Sequence, residues 1–83
     1  MTYFVYLIGS YRKKKLITYV GYTNNLNYRI EKHNNGKGAK FTKGGNWKLM
    51  YFERYKTKRE AILREYYIKR NRSFRNLLKN RYK

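Results

Sequence analysis

Five side chains of this sequence carry groups that could act together on one phosphodiester. They are two phenols, a guanidinium, an imidazole and a carboxylate, supplied by Tyr6, Tyr19, Arg29, His33 and Glu65. Arg29 and His33 are four residues apart, so a helix would place both on one face, about one turn from each other. An arginine fork suits the nonbridging oxygens of a phosphate, and one carboxylate with substrate oxygens suffices for Mg²⁺. Together these are the groups that a one-metal phosphodiesterase needs.

Each of these residues also has an ordinary structural explanation. Tyrosine in a strand is most often a packing residue. A lone histidine such as His33 is commonly solvated or satisfied by a carbonyl, although it could instead hydrogen-bond a phosphate oxygen or a tyrosine hydroxyl. Glu65 could form a helix-surface ion pair with Arg64 or Lys69. The residues alone therefore favour structural roles.

The charge of the chain indicates a polyanionic partner. Twenty-two Lys and Arg residues stand against four Glu and no Asp, which gives a net charge of +18. Basic residues that neutralise phosphates release counterions, so binding to nucleic acid would be strong and sensitive to salt. An acidic membrane surface is the alternative, but no segment has the pattern of a basic amphipathic helix with a broad apolar face. We expect nucleic acid as the partner, and no membrane.

Length and composition predict one domain, residues 1–83. The sequence has no cysteine, so a disulfide framework and a cysteine-based zinc site are excluded, and a metal would be bound through oxygen or nitrogen. The longest apolar run, Tyr3 to Ile8, is far shorter than the ~20 residues of a membrane helix. The N-terminus also lacks a signal-peptide pattern. We expect an intracellular protein, in the cytoplasm or nucleoid, or in the nucleus of a eukaryotic or viral host.

Three segments have the character of strands. Tyr3 to Ile8 is apolar on both alternating faces, which predicts a central strand that is buried on each side. Gly9-Ser10 is expected to end it, and Tyr11 to Lys15 to form a basic loop. Leu16 to Val20 would then complete a hairpin. Trp47 to Tyr55 has strand character again.

The first predicted helix carries two of the five reactive groups. Asn24 or Asn25 can cap a helix from Leu26 to about Asn34, which would hold Arg29 and His33 and end before Gly36. On its apolar side, Leu26 and Ile30 are spaced to face inward. The loop from Gly36 to Gly45 that follows is basic.

Two further helices are expected in the C-terminal part. Thr57-Lys58-Arg59-Glu60 has the spacing of a capping box, which would begin a helix that runs to about Asn71 and carries Ile62 and Tyr66 on one face. Ser73 can cap a last short helix. The apolar side chains expected to dock that helix are Phe74, Leu77 and Leu78. The predicted order is β-β-α-β-α-α, an α+β chain.

The sequence resembles the GIY-YIG endonuclease superfamily from Tyr3 to about Asn71. It is most similar to small stand-alone bacterial members that are related to the nuclease domain of the excision-repair endonuclease UvrC. Five segments in order carry the resemblance: Phe4-Val5-Tyr6, Tyr19-Val20-Gly21-Tyr22-Thr23, Asn25-Leu26 through Arg29 to His33-Asn34, Gly36-Lys37-Gly38-Ala39-Lys40-Phe41-Thr42, and Glu60-Ala61 through Glu65. Two positions depart from the family pattern. Phe4 stands in place of a glycine, and Tyr22 stands where the excision-repair branch has lysine.

The resemblance implies a small three-stranded antiparallel sheet flanked by helices and an endonuclease that hydrolyses DNA. It implies active-site roles for Tyr6, Tyr19, Arg29, His33 and Glu65, with one Mg²⁺ or Mn²⁺ at Glu65. We expect Tyr6 to help deprotonate the attacking water and Tyr19 to position water or phosphate, although the two roles could be exchanged. Nearby cations would favour the Tyr6 phenolate. The implied products are a 5′-phosphate and a 3′-hydroxyl, in DNA repair or recombination.

Basic residues outside this set are expected to follow the DNA backbone. The candidates are Lys37, Lys40, Lys43, Arg64, Lys69 and Arg70. The expected partner is DNA, including branched or nicked DNA, and a protein partner or a homodimer stays open. Two rival functions need only the charge and the fold: a catalytically silent DNA- or RNA-binding module, and a structural RNA-binding protein of ribosomal type.

Overall fold

A three-stranded antiparallel sheet forms the centre of the protein. A computed structural model describes residues 1–82. Its elements are β1 (Tyr3–Arg12), β2 (Lys15–Thr23), α1 (Leu26–Asn34), β3 (Lys48–Tyr55), α2 (Lys58–Arg70) and α3 (Arg72–Tyr82). The strands lie in the order β2-β1-β3, and both neighbours run antiparallel to β1. The predicted α+β fold and its order β-β-α-β-α-α are confirmed.

β1 is longer than the sequence predicts. The expectation that Gly9 and Ser10 end this strand is wrong, because both residues pair with β2 and the ladder continues to Arg12. A Cβ atom at Gly9 would overlap the thioether of Met50 on β3. Gly9 therefore permits a close approach inside the sheet, a role that glycine takes in strands as often as that of a terminator.

The turn between β1 and β2 is correspondingly short. Instead of the predicted loop from Tyr11 to Lys15, only Lys13 and Lys14 lie outside the strands. Both have positive φ angles, 50° and 69°, and positive φ at both central residues is what a two-residue type I′ hairpin turn requires.

The N-terminal caps of the first two helices agree with the sequence. The side chain of Asn25, one of the two predicted caps, accepts a hydrogen bond from the Tyr28 N–H at the start of α1. The capping box of α2 is complete, because the Thr57 hydroxyl accepts from the Glu60 N–H and the Glu60 carboxylate accepts from the Thr57 N–H. Among residues 1–82, no helix has the length and apolar character that crossing a membrane requires.

The cap of α3 differs from the prediction. Ser73 lies inside the helix, which begins at Arg72 and runs for 11 residues. The acceptor is the Asn71 side chain, 2.9 Å from the Phe74 N–H. α2 and α3 are thus separated by Asn71 alone, which both ends one helix and caps the next.

β1 is covered on both faces, as its apolar character predicts. On one face α2 and α3 bury a cluster of Val5, Leu7, Val20, Ala61, Ile68 and Leu78. On the other face a second cluster contains Tyr6, Ile8 and Trp47, with Ile17, Tyr19, Leu26 and Ile30 packed against it. The inward position predicted for Leu26 and Ile30 is confirmed. The second cluster already contains both strand tyrosines of the reactive set.

The apolar side chains of the C-terminal helices are only partly buried. Ile62 and Tyr66 of α2 are 38% and 58% exposed, whereas Ala61 and Ile68 face the sheet. In α3, Phe74 and Leu78 dock as expected, but Leu77 is 52% exposed, so its predicted docking role is wrong. The inward face of α2 is therefore built around a small residue, which lets the helix lie close to the sheet.

Candidate active site

A buried chain of hydrogen bonds links β1, α1 and the loop that follows α1. The Tyr6 hydroxyl lies 2.7 Å from Nε2 of His33, and Nδ1 of His33 lies 2.9 Å from Oγ1 of Thr42. The Thr42 hydroxyl donates to the carbonyl of Ala39 at 3.0 Å and accepts from the Ala39 N–H at 3.2 Å. Tyr6, His33 and Thr42 are each at most 1% exposed.

The direction of these hydrogen bonds follows from the one group that can only accept. The Ala39 carbonyl takes the single hydroxyl proton of Thr42, so Thr42 must accept from His33. Nδ1 of His33 therefore carries a proton, and Nε2 accepts the proton of Tyr6. We assign His33 as the neutral Nδ1–H tautomer on this basis.

The loop between α1 and β3 is closed by a side-chain clamp at its base. The Asn34 side chain donates to the carbonyl of Trp47 at 3.0 Å and accepts from the Trp47 N–H at 2.6 Å. The indole N–H of Trp47 donates to the Thr42 carbonyl at 2.8 Å. These bonds hold the Thr42 backbone against the last turn of α1, which carries His33.

Two glycines are required where the backbone meets the reactive side chains. A Cβ at Gly21 would overlap the Tyr6 hydroxyl, and a Cβ at Gly38 would overlap the imidazole of His33. Gly21 is the last residue of the tripeptide that begins with Tyr19. Its place in the motif thus has a steric cause, because only glycine leaves room for the phenol across the hairpin.

Burial controls the protonation of Tyr6 and His33. It raises the pKa of Tyr6 to about 12, against the opposing effect of the Arg29 guanidinium. Burial also lowers the pKa of His33 below its usual value, and the charge of Arg29 lowers it further. Arg29 favours the phenolate of Tyr6, as expected, but desolvation of the charged form is the larger effect, so the pKa of Tyr6 is still raised. In this state both groups are neutral at neutral pH.

Arg29 has an unused donor. Its Nε is a buried side-chain polar atom for which residues 1–82 provide no hydrogen-bond partner. The side chain lines a cleft of about 350 Å³ together with Tyr3, Tyr22, Thr23, Asn24 and Lys58. Buried donors are nearly always satisfied in folded proteins, so the unpartnered Nε is an exception, and it belongs to a cationic side chain that lines the cleft.

Tyr19 is a second tyrosine in contact with His33. The two ring centroids are 5.1 Å apart in an edge-to-face arrangement. The ammonium group of Lys69 lies 5.6 Å from the centroid of the Tyr19 ring. The phenols of Tyr6 and Tyr19 therefore both contact one imidazole, and the charges of Arg29 and Glu65 both act on Tyr6. The five reactive groups predicted from the sequence lie in one region.

Glu65 is the carboxylate of this region. The other three are engaged or distant: Glu53 pairs with Arg64, Glu60 belongs to the capping box of α2, and Glu31 is exposed on α1. The Glu65 side chain is 18% exposed and is 3.6 Å from the Lys69 ammonium, a loose ion pair. The predicted structural explanation for Glu65 is thus present in part, with Lys69 rather than Arg64 as its partner.

The donor set fits a single hard cation. Residues 1–82 contain no group of three or more His, Cys, Asp or Glu side chains that could enclose a metal. Mg²⁺ does not need such an enclosure, because it keeps several waters and takes one or two carboxylates plus substrate phosphate oxygens. Glu65, which is half-buried and close enough to Tyr6 to raise its pKa, offers such a carboxylate.

α2, which carries Glu65, is fixed to the sheet by Glu53 of β3. The Glu53 carboxylate accepts two hydrogen bonds from Arg64, at 2.8 and 2.9 Å, and one each from the hydroxyls of Tyr51 and Tyr55. The Arg64 guanidinium, which was predicted to bind DNA, is therefore directed at a protein carboxylate.

The other predicted DNA-binding residues differ in whether their side chains contact other side chains of the protein. Lys37, Lys40 and Lys43 are exposed in the loop beside the reactive groups. Lys69 pairs with Glu65, and Arg70 donates to the Tyr66 hydroxyl at 2.6 Å. The three loop lysines are thus exposed cations in the segment that follows His33.

Two residues of this site were not singled out from the sequence. Thr42 and Asn34 belong to segments that resemble the family, but neither was given a role. Thr42 lies in an irregular loop, where no periodicity predicts which side chains point inward. A threonine nine residues after a histidine carries no signal of contact until the loop conformation is known.

Comparison with known proteins identifies the family of this chain. Residues 2–82 match the family described as GIY-YIG catalytic domain. The chain is 62% identical over 53 residues to a UPF0213 protein of Clostridium perfringens, which covers 63% of this chain and 57% of that protein. It is 40% identical over 76 residues to a UPF0213 protein of Oceanobacillus iheyensis, which covers 90% of this chain and 85% of that protein. The first match thus spans little more than half of the relative.

A solved structure is similar over most of the chain. The solution NMR structure of a UPF0213 protein from Bacillus halodurans is 35% identical, with a TM-score of 0.52, over 96% of this chain and 84% of that one. These relatives are small proteins, in agreement with the resemblance to stand-alone members of the superfamily.

Proposed function

Because the chain belongs to the GIY-YIG catalytic domain family, we propose that it is a divalent-metal-dependent endonuclease that hydrolyses phosphodiester bonds of DNA. The proposal treats residues 1–83 as one catalytic domain that acts on DNA inside the cell. The observation that carries it is the buried Tyr6–His33 hydrogen bond of 2.7 Å, next to the unused donor of Arg29. A tyrosine that only fills space in the core does not need a neutral imidazole as the acceptor of its hydroxyl proton, whereas a tyrosine that passes on a proton does.

His33 serves as the final proton acceptor in the proposed reaction. The attacking water gives a proton to the Tyr6 hydroxyl while Tyr6 passes its own proton to Nε2 of His33. The imidazole becomes imidazolium, with its Nδ1–H still bonded to Thr42. Tyr6 never needs to exist as a free phenolate, which its pKa of about 12 would disfavour at neutral pH. The lowered pKa of His33 keeps the acceptor neutral before the reaction.

The substrate makes this proton transfer more favourable. Arg29 disfavours a charged His33 in the free protein. A phosphate bound at the Arg29 guanidinium, which lines the cleft, would offset that positive charge, and the negative charge that develops on the phosphoryl oxygens would offset it further. The proton affinity of His33 would then rise when substrate is present. Tyr19, whose ring also contacts the imidazole, would position the water or the phosphate.

Glu65 would hold the divalent cation. Its Lys69 partner lies 3.6 Å away and the Lys69 side chain is 46% exposed, so the ammonium group can move into solvent when a cation takes its place. A cation bound there would polarise the phosphate and stabilise charge on the leaving oxygen. Attack of hydroxide on phosphorus breaks the bond to the 3′ oxygen, which leaves a 3′-hydroxyl and a 5′-phosphate.

The test is cleavage of linear, nicked and branched DNA in the presence of Mg²⁺, Mn²⁺ or EDTA. We expect metal-dependent cleavage that is lost in Glu65→Ala, while DNA binding persists. Glu31→Ala, which removes an exposed carboxylate of α1, is the matched control and should cleave as wild type does. Binding without cleavage on every substrate and with every metal would instead favour the silent DNA- or RNA-binding module.

A second variant tests the phosphate contact. Removing one donor that stabilises a developing anion typically lowers kcat by about 10²- to 10³-fold, and we expect that loss in Arg29→Ala. Wild-type cleavage by Arg29→Ala would show that another group stabilises the phosphate.

A further inference from the structure

A large aromatic side chain is exposed at the rim of the candidate active site. Phe41 is 50% exposed, although it lies next to Thr42, which is completely buried. It belongs to the loop that carries Lys40 and Lys43. Exposed apolar side chains are common singly, so exposure alone assigns nothing to Phe41. Its surroundings are more informative.

The Phe41 ring is held in place by its neighbours. It is stacked beside Tyr19, with 6.1 Å between centroids and 23° between planes, and it contacts the buried ring of Trp47 at 6.3 Å. The Arg12 guanidinium lies 5.5 Å from its centroid and donates to its backbone carbonyl at 3.0 Å. The ring is therefore fixed before any ligand arrives, which reduces the entropy cost of binding on it.

Phe41 also lines a cleft with cationic walls. The cleft has a volume of about 380 Å³ and is lined by Thr18, Tyr19, Val20, Phe41, Lys69 and Arg75. This volume lies within the range of small-molecule sites. The same Lys69 pairs with Glu65, so the cleft adjoins the carboxylate that is proposed to bind the divalent cation. Through Tyr19 it also adjoins His33.

We propose that the Phe41 ring and this cleft, here called the Phe41 cleft, bind an unpaired nucleobase next to the cleaved phosphate. The inference rests on the proposed function and specifies its substrate as DNA with a single-stranded or unpaired nucleotide at the cleavage site. An aromatic face stacks any base, independently of sequence. In a duplex both faces of each base are already stacked on neighbouring pairs, so a paired base cannot use the ring.

The charges around the cleft favour this ligand over other occupants. Lys69 and Arg75 line it, where they can neutralise the phosphates that flank a stacked base. A second copy of the chain would bring another net charge of +18 to the same surface, which opposes self-association through it. A polyanion with aromatic bases satisfies both the ring and the cations.

Binding in EDTA tests the inference without cleavage. The probe is a short single-stranded oligodeoxynucleotide that contains 2-aminopurine, whose fluorescence is quenched by stacking, and the comparison is the same sequence as a duplex. We expect Phe41→Leu to weaken single-strand binding about tenfold and to relieve the quenching, while duplex affinity changes less than about twofold because phosphate contacts dominate it. Phe41→Trp should restore both the affinity for the single strand and the quenching of 2-aminopurine.

Tyr11→Leu is the matched control, because Tyr11 is 61% exposed near the hairpin turn, away from the cleft. It should leave single-strand binding unchanged. Circular dichroism and the emission of Trp47 in Phe41→Leu check that the loop is still folded. Wild-type quenching by folded Phe41→Leu, or an equal loss of affinity for single strand and duplex, would overturn the inference.

The two proposals fail in different experiments. Quenching that depends on Phe41, in a protein that cleaves no DNA with any metal, would keep the Phe41 cleft and reject the nuclease. Metal-dependent cleavage with no effect of Phe41→Leu on the preference for unpaired DNA would keep the nuclease and reject the cleft.

Discussion

The Tyr6 hydroxyl lies 2.7 Å from Nε2 of His33, 27 residues later in the chain, and neither residue is more than 1% exposed. Each residue is the other's polar partner inside the protein. A buried polar group that loses its partner costs about 1–3 kcal/mol, so this contact contributes to stability as well as to the proposed chemistry. Variants at this pair must be measured for both.

Tyr6→Phe removes the hydroxyl and keeps the ring. We expect DNA cleavage to fall by about 10²- to 10⁴-fold, because proton transfer by a positioned side chain contributes a factor of that size. Unfolding free energy should fall by about 1–3 kcal/mol, because Nε2 of His33 loses its donor. Single-turnover cleavage and urea unfolding measure the two effects separately.

Tyr55→Phe is the matched control for this variant. It also removes a tyrosine hydroxyl that donates to a partly buried acceptor, in this case Glu53. It should lower stability without reducing the rate of cleavage by the folded protein. Equal losses of activity in Tyr6→Phe and Tyr55→Phe would remove the special role of Tyr6.

Gly21→Ala places a methyl group where the Tyr6 hydroxyl lies. Overpacking of this kind costs about 1–3 kcal/mol, and the displaced phenol would lose its geometry with His33. We expect cleavage to fall together with stability. Gly44→Ala is the comparison, because nothing lies within 4 Å of a Cβ there but its φ of +80° is strained for alanine. That variant should lose stability only, and a fully active Gly21→Ala would refute the steric role of Gly21.

Thr42→Val keeps the shape of the side chain and removes the hydroxyl. Thr42 acts through His33 as a positioning residue, because its oxygen accepts the Nδ1 proton that defines the tautomer. Misplacement of a catalytic group can cost about 10²-fold, and we expect a loss of up to about that size in kcat with little change in KM. Thr42→Ser should restore activity. A pH–rate profile that is identical in Thr42→Val and wild type would argue against control of the imidazole by Thr42.

Stability in acid should depend on Glu53. Burial alone would raise the pKa of this carboxyl, but the hydrogen bonds from Arg64, Tyr51 and Tyr55 outweigh it and lower the pKa to about 2. The unfolded chain binds this proton near the usual value of 4.5, so the stabilisation is complete above that pH and is lost as the pH falls towards 2. It amounts to about 3 kcal/mol at most.

Urea unfolding of wild type and Glu53→Gln between neutral pH and about pH 2.5 measures this contribution. The variant should be less stable at neutral pH and should lose less stability on acidification. If the free energies of unfolding of the two proteins fell in parallel with pH, other carboxyls or the buried imidazole of His33 would control the loss of stability in acid.

The element order was predictable because local signals agree with the final fold. The cap at Asn25 and the capping box that begins at Thr57 depend on a few neighbouring residues, and an apolar run such as Tyr3 to Ile8 needs burial on both faces. Apart from the cap of α3, where Asn71 takes the place predicted for Ser73, the errors arose where distant contacts decide. Gly9 looks like a strand end until Met50 of another strand is brought against it, and the inward face of α2 depends on how close the sheet lies.

The arrangement of the candidate site could be predicted from the sequence about as far as the fold could. Helical spacing placed Arg29 and His33 together, and the family resemblance added the tyrosines and Glu65. The roles of Thr42 and Phe41 could not be predicted, because they depend on the path of an irregular loop. The raised pKa of Tyr6 likewise reflects burial, which no local sequence pattern specifies.

The clamp between Asn34 and Trp47 ties the two ends of the intervening loop to each other. Within the loop, Arg12 of β1 donates to the carbonyls of Phe41 and Lys43, so the path of the backbone is held while the exposed side chains are free to differ. A chain of this design could acquire a different rim, with other cations or another ring in place of Phe41, as long as Gly38 and Thr42 continue to accommodate the imidazole. Substrate preference could thus diversify in one short segment while the proton path stays the same.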